Sequence, residues 1–245
     1  MKRQMNMMFR QGCPATSKGV VSNHFPPPCA RGAFPLLMPR AYFINLIGDS
    51  GMKILIACEF SGIVRDAFIA KGHDAISCDL LPTERPGPHY QGDVFDIIED
   101  GWDMMIAHPP CTHLCRHRSR WQPKPKEIEA AKDFFMRLLE SDIPRICLEN
   151  PVPQKIMNLP PYTQIIQPWQ FGHDYSKKTC LWLKNLPPLQ PTELVELTYY
   201  TTPKGRKFTK GWYFTPRNGK DRSRTFEGIA AAMADQWGNL QEIHT

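Results

Sequence analysis

The chain has 245 residues and a formal net charge of +6, and 42% of its residues are hydrophobic. Such a chain can bury one sizeable core, and no apolar stretch approaches the ~20 residues that span a membrane. The charge is weak support for a polyanionic partner, because residues 1–51 hold six basic residues against one acidic residue and residues 52–245 are nearly neutral.

Residues 1–51 show no sustained hydrophobic period and contain Pro26-Pro27-Pro28. This composition predicts a disordered or non-native extension, with the true start at Met52 and one domain over residues 52–245. A targeting peptide is the alternative, because the segment contains arginines and is poor in acids.

From Met52 onward, apolar strand-like segments alternate with amphipathic helices. This alternation predicts parallel pairing and a doubly wound α/β sheet. The predicted strands cover 53–58, 75–79, a short segment near Val94, 103–107, 145–148 and 179–183, and the predicted helices cover 63–71, 126–141 and 224–236.

The eight cysteines are scattered along the chain, and four of them lie in the strand-like segments. Such cysteines are typical of reduced, buried thiols and not of a secreted disulfide framework. We therefore expect a cytoplasmic protein without a membrane partner.

The turn Phe60-Ser61-Gly62 joins the first strand to the first helix, where doubly wound sheets bind nucleotide-like ligands. Only one glycine is present, so the Gly-x-Gly-x-x-Gly loop that cradles a pyrophosphate is absent. The turn therefore favours a ligand that has a ribose but no pyrophosphate. The alternative is a plain strand-to-helix turn.

Two aspartates follow later strands on the same side. Asp79 ends the second strand, where its carboxylate is placed to bind ribose hydroxyls. Asp93 is predicted to lie near an adenine edge, and its alternative role is a turn cap.

The segment that carries most chemistry runs from a short apolar strand into Pro109-Pro110 and then Cys111. The prolines make a stiff turn, so the thiol is held at a strand end. Cys111 is a nucleophile, a metal ligand or a buried small residue, and a nearby arginine (116, 118 or 120) would lower its pKa. A zinc site needs considering because His108, Cys111, His113, Cys115 and His117 lie close in sequence. They share one loop with no second cysteine pair, which disfavours zinc.

Glu149 ends another apolar strand, next to Leu148 and before Asn150-Pro151. A half-buried carboxylate at this position is expected to have a raised pKa and to give a proton to a ring nitrogen. The alternative is an acid near the N-terminus of a helix over residues 153–157.

Residues 199–224 become basic and aromatic. Cations that contact phosphates, interleaved with aromatic rings that stack on bases, predict a DNA surface that tolerates many sequences. The alternative is an exposed hairpin with a solvated basic face. The predicted DNA-binding residues are Lys204, Arg206, Lys207, Lys210, Arg217 and Arg222.

In order and spacing these motifs resemble the DNA (cytosine-5)-methyltransferases, particularly compact prokaryotic or phage-like members. The family's Phe-x-Gly turn, two cofactor-side acids, Pro-Cys loop and Glu-Asn-Val strand end correspond here to Phe60-Ser61-Gly62, Asp79, Asp93, Pro110-Cys111 and Glu149-Asn150-Pro151. Residues 172–179 resemble the Gly-x-x-Gln-x-Arg-x-Arg segment, with Lys177 in the place of its first arginine. Residues 222–227 loosely resemble the late Arg-x-x-Thr-x-x-Glu element, and Gly238-Asn239 the last cofactor-side motif.

The resemblance implies a Rossmann-like fold and methyl transfer from S-adenosylmethionine to C5 of cytosine in DNA. Cys111 would add to C6, with Glu149 acting at N3 and Lys177 as catalytic support. The cytosine would be flipped out or single-stranded. The implied cofactor contacts are Phe60, Ser61, Gly62, Asp79, Asp93, Pro109 and Asn239.

The chain departs from the family in its cofactor turn, which lacks a second glycine, in residues 172–179, which lack the glutamine and have Lys177 for the first arginine, and in its recognition region. Family members devote a separate domain to target recognition, whereas only about residues 186–221 are available here, which predicts a monomer with relaxed sequence specificity. Two other functions stay open. One is a catalytically inactive DNA-binding or decoy protein, and the other is a related C5-pyrimidine modification with another donor or a nucleotide substrate.

Overall fold

The computed structural model describes residues 51–115, 125–216 and 219–240. The predictions for residues 1–50, for residues 116–120 and for Arg217 lie outside the described residues. In the described ranges the chain forms a seven-stranded, mostly parallel sheet with helices on both faces, together with a separate two-stranded sheet. This architecture confirms the predicted doubly wound, Rossmann-like α/β fold with a small basic and aromatic insert.

The elements follow the predicted alternation of strand and helix. The strands of the large sheet are β1 Lys53–Ala57, β2 Asp74–Asp79, β3 His89–Gln91, β4 Met104–Ala107, β5 Arg145–Pro151, β6 Gln164–Ile166 and β7 Thr179–Lys184. The small sheet consists of β8 Tyr199–Thr201 and β9 Lys207–Thr209. The helices are α1 Ile63–Ile69, α2 Pro125–Leu139, α3 Lys210–Phe214, α4 Gly219–Ser223 and α5 Glu227–Trp237.

The strand order in the large sheet is β3-β2-β1-β4-β5-β7-β6. The chain builds outward from β1 to β3 on one side and then returns to place β4 on the other side of β1. This reversal is a topological switch point, and the crevice outside the carboxyl ends of β1 and β4 is where such sheets bind ligands.

Two apolar layers cover the sheet. In β1, Ile54 and Ile56 face a core shared with α1 and α5, while Leu55 and Ala57 face a core shared with α2. Alternate side chains of one strand point to opposite faces, so a strand buried on both faces is apolar at every position. This explains the continuous apolar segments in the sequence.

The strands differ from the sequence predictions at β3 and at β7, and β6 was not predicted. The short strand predicted near Val94 lies earlier, at β3, and Val94 begins a 3-10 helix that Asp93 caps by accepting the Phe95 N–H at 3.1 Å. The all-parallel pairing is also wrong at one strand, because β7 runs antiparallel to β5 and to β6.

Candidate active site

The sheet register brings the two predicted catalytic segments together. Ala107, the last residue of β4, pairs with Leu148 of β5. His108 directly follows Ala107, and Glu149 directly follows Leu148 within β5, so the two residues lie side by side. Cys111 comes three residues after His108 on the loop that follows β4.

The loop that carries Cys111 is anchored from both sides. The buried Asn150 side chain donates its Nδ2–H to the carbonyl oxygen of Pro109 at 2.9 Å. On the C-terminal side of Cys111, the main-chain N–H of Gln154 donates to the carbonyl oxygen of Leu114 at 2.8 Å, and Nε2 of Gln154 donates to the carbonyl oxygen of Cys115 at 3.0 Å. The thiol of Cys111 is thus presented on a fixed turn at the crevice and stays partly exposed.

The pKa values of the thiols separate Cys111 from four other described cysteines. Burial raises the pKa of Cys58, Cys78, Cys147 and Cys180, which keeps those thiols protonated at neutral pH. The pKa of Cys111 is instead lowered to about 7, first by a hydrogen bond from the Cys115 thiol and further by the positive charge of Lys177, against burial and the charge of Glu149. About half of Cys111 is therefore thiolate, the reactive form, near pH 7.

Glu149 differs from the sequence expectation in its electrostatics. Burial by itself raises the pKa of this carboxyl, but hydrogen bonds from His108 and Thr179 and the charge of Lys177 outweigh burial, and the pKa is lowered. The predicted raised pKa is therefore wrong, and Glu149 is ionised at neutral pH.

His108 is the partner that sequence reasoning missed. Its Nδ1 lies 3.1 Å from Oε2 of Glu149, and the two side chains are only 10% and 12% exposed. The sequence signal was present, because His108 follows β4 directly as Glu149 follows Leu148 in β5, but the histidine was considered only as a zinc ligand.

Lys177 lies on the same side of the site, just before β7. Its charge lowers the pKa of both Cys111 and Glu149, so its ammonium group lies within electrostatic reach of both. Its Nζ donates to the carbonyl oxygen of Arg222 at 3.2 Å, which links it to α4. The structure therefore brings together all three residues predicted to be catalytic.

A cavity of about 160 Å³ lies beside this group, at the carboxyl ends of β1 and β2. Its walls include the two acids predicted to bind the cofactor, Asp79 and Asp93, and Pro110 from the loop that carries Cys111. The lining residues are Cys58, Cys78, Asp79, Leu80, Gly92, Asp93, Val94, Pro110 and Phe134. Each of the two carboxylates accepts a hydrogen bond from the main chain two residues later. Oδ1 of Asp79 accepts the Leu81 N–H at 2.9 Å, and Oδ1 of Asp93 accepts the Phe95 N–H at 3.1 Å. Pro109 immediately precedes the lining residue Pro110.

The Phe60-Ser61-Gly62 turn does not line this cavity. Ser61 is buried and donates to the carboxylate of Glu59 at 3.0 Å, and that carboxylate also accepts the N–H of Val64 at 2.8 Å. Glu59 thereby occupies the N-terminus of α1, where a phosphate would otherwise bind. Gly62 has a φ of 73°, and a Cβ there would lie 2.5 Å from the Arg65 guanidinium. Ser61 and Gly62 thus have structural roles in the turn. Phe60 is half-exposed, and Nζ of Lys220 lies 5.4 Å from the centroid of its ring.

Asn239 lies at the other edge of the sheet. A Cβ on its neighbour Gly238 would be 2.5 Å from Nε2 of His73, the residue that precedes the amino end of β2. The Asn239 side chain donates to the carbonyl oxygen of Asp235 at 3.1 Å, in the last turn of α5. The structure therefore does not bring Asn239 together with Asp79 and Asp93.

Ion pairs connect α4 to the loop after β2. The Arg224 guanidinium donates two hydrogen bonds, of 2.8 and 2.9 Å, to the carboxylate of Glu84. Lys220 forms an ion pair with the same carboxylate at 2.9 Å. With Lys177 bonded to Arg222, α4 contacts both the cofactor side and the catalytic side of the crevice.

The basic and aromatic insert forms a hairpin followed by α3. Strands β8 and β9 pair antiparallel, and Lys204, Arg206, Lys207 and Lys210 are exposed along the hairpin and the start of α3. Aromatic rings pack beneath them, with Phe208 and Trp212 stacked at 5.2 Å and Tyr200 and Tyr213 at 4.4 Å. These rings build the hairpin, while Tyr199 and Phe214 keep large exposed faces.

Arg222 has a different environment from the other predicted DNA contacts. Its guanidinium donates to the carbonyl oxygens of Trp212, Thr215 and Pro216 and lies 4.8 Å from the centroid of the Trp212 ring. This placement favours a structural role at the end of α3 over the predicted phosphate contact.

Over residues 51–115, 125–216 and 219–240, no group of three or more His, Cys, Asp or Glu side chains is arranged to hold a metal ion. No helix within these ranges has both the length and the hydropathy to cross a membrane.

No family model and no curated protein matches the chain. Among solved structures, the chain is similar to an inferred DNA modification methyltransferase encoded within a prophage (E. coli), with 14% sequence identity and a TM-score of 0.41. The match covers 60% of this chain and only 53% of that one, so the chain matches about half the length of this relative.

Proposed function

We propose that the chain is an S-adenosylmethionine-dependent methyltransferase that acts on C5 of cytosine in DNA through a covalent adduct with Cys111. The observation that carries the proposal is the position of Cys111, which lies partly exposed on an anchored turn after β4, beside the nearly buried Glu149 of β5, at the switch point of the sheet. The lowered pKa of Cys111 and the charge of Lys177, which acts on both groups, support it. A low thiol pKa, a buried carboxylate and a cation grouped in one crevice are typical of nucleophilic catalysis.

The residues divide the chemistry between them. The Cys111 thiolate forms a bond to C6, and the electron pair displaced from the C5–C6 double bond makes C5 nucleophilic. Lys177 offsets the negative charge that develops on the N3 and O2 side of the ring, and a proton taken from solvent and held between the Glu149 carboxylate and N3 neutralises N3. S-adenosylmethionine would supply the electrophilic methyl group that C5 takes, and loss of the C5 proton to solvent would then restore the C5–C6 double bond and expel Cys111 as thiolate.

The cavity beside Cys111 suits the proposed cofactor. Asp79 and Asp93 supply acceptors for ribose hydroxyls and an amino group, and their negative charge suits a sulfonium cation. Phe134 and Val94 supply apolar walls for a purine ring. At about 160 Å³ the cavity is smaller than the ~300–1,000 Å³ of typical ligand sites, so it would enclose one part of the cofactor, with the rest lying along the strand ends.

The proposed DNA surface is the hairpin with its exposed cations. Lys204, Arg206, Lys207 and Lys210 would bind backbone phosphates, and the exposed rings of Tyr199 and Phe214 would stack on unpaired bases. Such contacts carry little sequence information, which supports relaxed specificity.

Mass analysis of nucleosides tests the reaction. Unmethylated DNA of mixed sequence is incubated with the protein and a donor labelled in its methyl group, in parallel with free dCMP. The proposal expects labelled 5-methylcytosine from DNA with the native chain and none with Cys111→Ser. Label only in dCMP would show a nucleotide substrate, and label at another atom of any base would contradict the C5 assignment.

A further inference from the structure

We propose that Lys220 is a cofactor-binding residue, whose ammonium group pairs with the α-carboxylate of S-adenosylmethionine. This inference rests on the proposed function, because it concerns the same cofactor. It assigns a partner to the amino-acid end of that molecule, whereas the cavity beside Cys111 is proposed for the nucleoside end. Lys220 lies outside the motifs quoted for the family resemblance.

The cavity itself disfavours a carboxylate. Among the described residues, those that line it include Asp79 and Asp93 but no lysine or arginine. Burial and then the negative charges of these two acids raise the pKa of the Cys58 and Cys78 thiols, so the field of the acids extends across the cavity. A ligand whose nucleoside end binds here would therefore place its own carboxylate away from both acids.

The turn after β1 leads away from the cavity. Cys58 lines the cavity, and Phe60 lies two residues further on and is half-exposed. Between them Glu59 is buried, and its carboxylate accepts the main-chain N–H groups of Val64 and Arg65. These N–H groups are thus already used, and a ligand carboxylate beside the turn needs a cation from elsewhere in the fold.

Lys220 supplies that cation from α4. Its Nζ lies 5.4 Å from the centroid of the Phe60 ring and 2.9 Å from Oε1 of Glu84. The main-chain N–H of Glu84 donates to the carbonyl oxygen of Phe60 at 2.8 Å, so the ammonium group, the carboxylate and the ring form one cluster. An ammonium group has three N–H donors, and Glu84 takes one of them.

The charges of this cluster leave Lys220 available to a ligand. Arg224 donates hydrogen bonds to both oxygens of Glu84, at 2.8 and 2.9 Å, so two cations share that carboxylate. Asp221 pairs with Arg224. The Lys220 side chain is 58% exposed, against 26% to 31% for the other three side chains. Lys220 is therefore the member of the cluster that a ligand along the strand ends contacts first.

Calorimetric binding of two ligands tests the assignment. S-adenosylmethionine carries the α-carboxylate, and its decarboxylated analogue lacks only that group. Lys220→Gln should weaken the binding of S-adenosylmethionine about tenfold, the low end for a hydrogen bond between charged groups, and should not weaken the binding of the analogue. Lys220→Arg keeps the charge and should retain most of the affinity for S-adenosylmethionine.

Arg85→Gln is the matched control, because it removes one positive charge from the residue next to Glu84. The Arg85 guanidinium lies 2.7 Å from Glu227 and 3.9 Å from Asp66, and its loss should change the binding of both ligands equally.

Three results separate the inference from the proposed function. An equal loss of both ligands in a folded Lys220→Gln protein, or no loss of either, would overturn the inference and leave the proposed function intact. A loss of S-adenosylmethionine alone in Arg85→Gln would also overturn it, because the effect would then come from the general field of positive charge. A native chain that binds neither ligand would instead contradict the proposed function.

Discussion

Cys115 donates hydrogen bonds back to Cys111, four residues earlier in the same turn. Its main-chain nitrogen lies 3.0 Å and its Sγ lies 2.8 Å from the carbonyl oxygen of Cys111. A hydrogen bond from the Cys115 thiol is also the leading cause of the lowered pKa of Cys111, because the single S–H proton stabilises the thiolate when it turns from the carbonyl oxygen to Sγ of Cys111. Under the proposed function, the spacing of the two cysteines would serve to activate Cys111.

Removal of the Cys115 thiol should weaken the nucleophile. In Cys115→Ala the pKa of Cys111 should rise from about 7 toward the ordinary 9, which lowers the thiolate fraction at neutral pH several-fold. The pH dependence of Cys111 alkylation by iodoacetamide, followed by peptide mass spectrometry, measures this change. Cys115→Ser retains a donor and should restore part of the shift, and an unaltered alkylation profile in Cys115→Ala would be inconsistent with this role.

Loss of the Asp79 charge should weaken cofactor binding. Asp79→Asn keeps an oxygen for the Leu81 N–H but loses a charged acceptor in the cavity. We expect S-adenosylmethionine to bind about ten- to a hundredfold more weakly by calorimetry, the range for a hydrogen bond to a charged group. The control is Asp74→Asn, exposed at the opposite end of the same strand. Equal effects of the two variants would argue against a cofactor site at this edge.

Neutralising one hairpin cation should alter the salt dependence of DNA binding. Arg206 is exposed at the hairpin turn, and Arg206→Gln should lower the slope of log affinity against log salt by about one unit on any sequence. Lys71→Gln, an equal charge change on an exposed residue after α1, is the control and should leave the slope unchanged. A sequence-dependent loss with Arg206→Gln would indicate base recognition in place of a phosphate contact.

The Glu84 ion pairs should contribute to stability in a defined range of pH. Hydrogen bonds from Arg224 and Lys220 lower the pKa of Glu84 to about 2, from an ordinary 4.5. A carboxyl group whose pKa is lowered by folding stabilises the folded state at any pH above its ordinary pKa. For Glu84 this contribution is lost as the pH falls from about 4.5 to about 2. Thermal unfolding of Glu84→Gln should therefore show a deficit below about 1 kcal/mol at pH 7 that disappears in acid. A deficit that persists in acid would mean that Glu84 acts other than by its charge.

Most of the sheet was predictable because its central strands are short apolar segments followed by turn residues. β1, β2, β4 and β5 fall close to their predicted bounds. β3 and β6 have only three residues each and carry no such period, so they were displaced or missed. The antiparallel direction of β7 depends on its pairing with both β5 and β6, which sequence period does not encode.

The positions of the site residues were predictable where those residues lie at the carboxyl ends of predicted strands. Asp79 and Glu149 lie near the carboxyl ends of β2 and β5, and Asp93 and Cys111 come after β3 and β4. The carboxyl ends of these parallel strands meet at one edge of the sheet. The electrostatics were not predictable, since the pKa of Glu149 depends on His108 and Thr179, which only the folded register brings near. Asn239 was placed by motif order alone, and α5 ends at the opposite edge.

The most direct measurement of the central claim is covalent trapping on DNA in which every cytosine carries fluorine at C5. After Cys111 adds to C6 and the methyl group is transferred, fluorine cannot leave C5 as a cation, so the adduct persists. With S-adenosylmethionine present, the native chain should give a protein–DNA species stable to denaturation, joined at Cys111 by peptide mapping, and Cys111→Ser should give none. A folded native chain that binds both DNA and cofactor yet forms no adduct, or an adduct that maps to another residue, would contradict the claim.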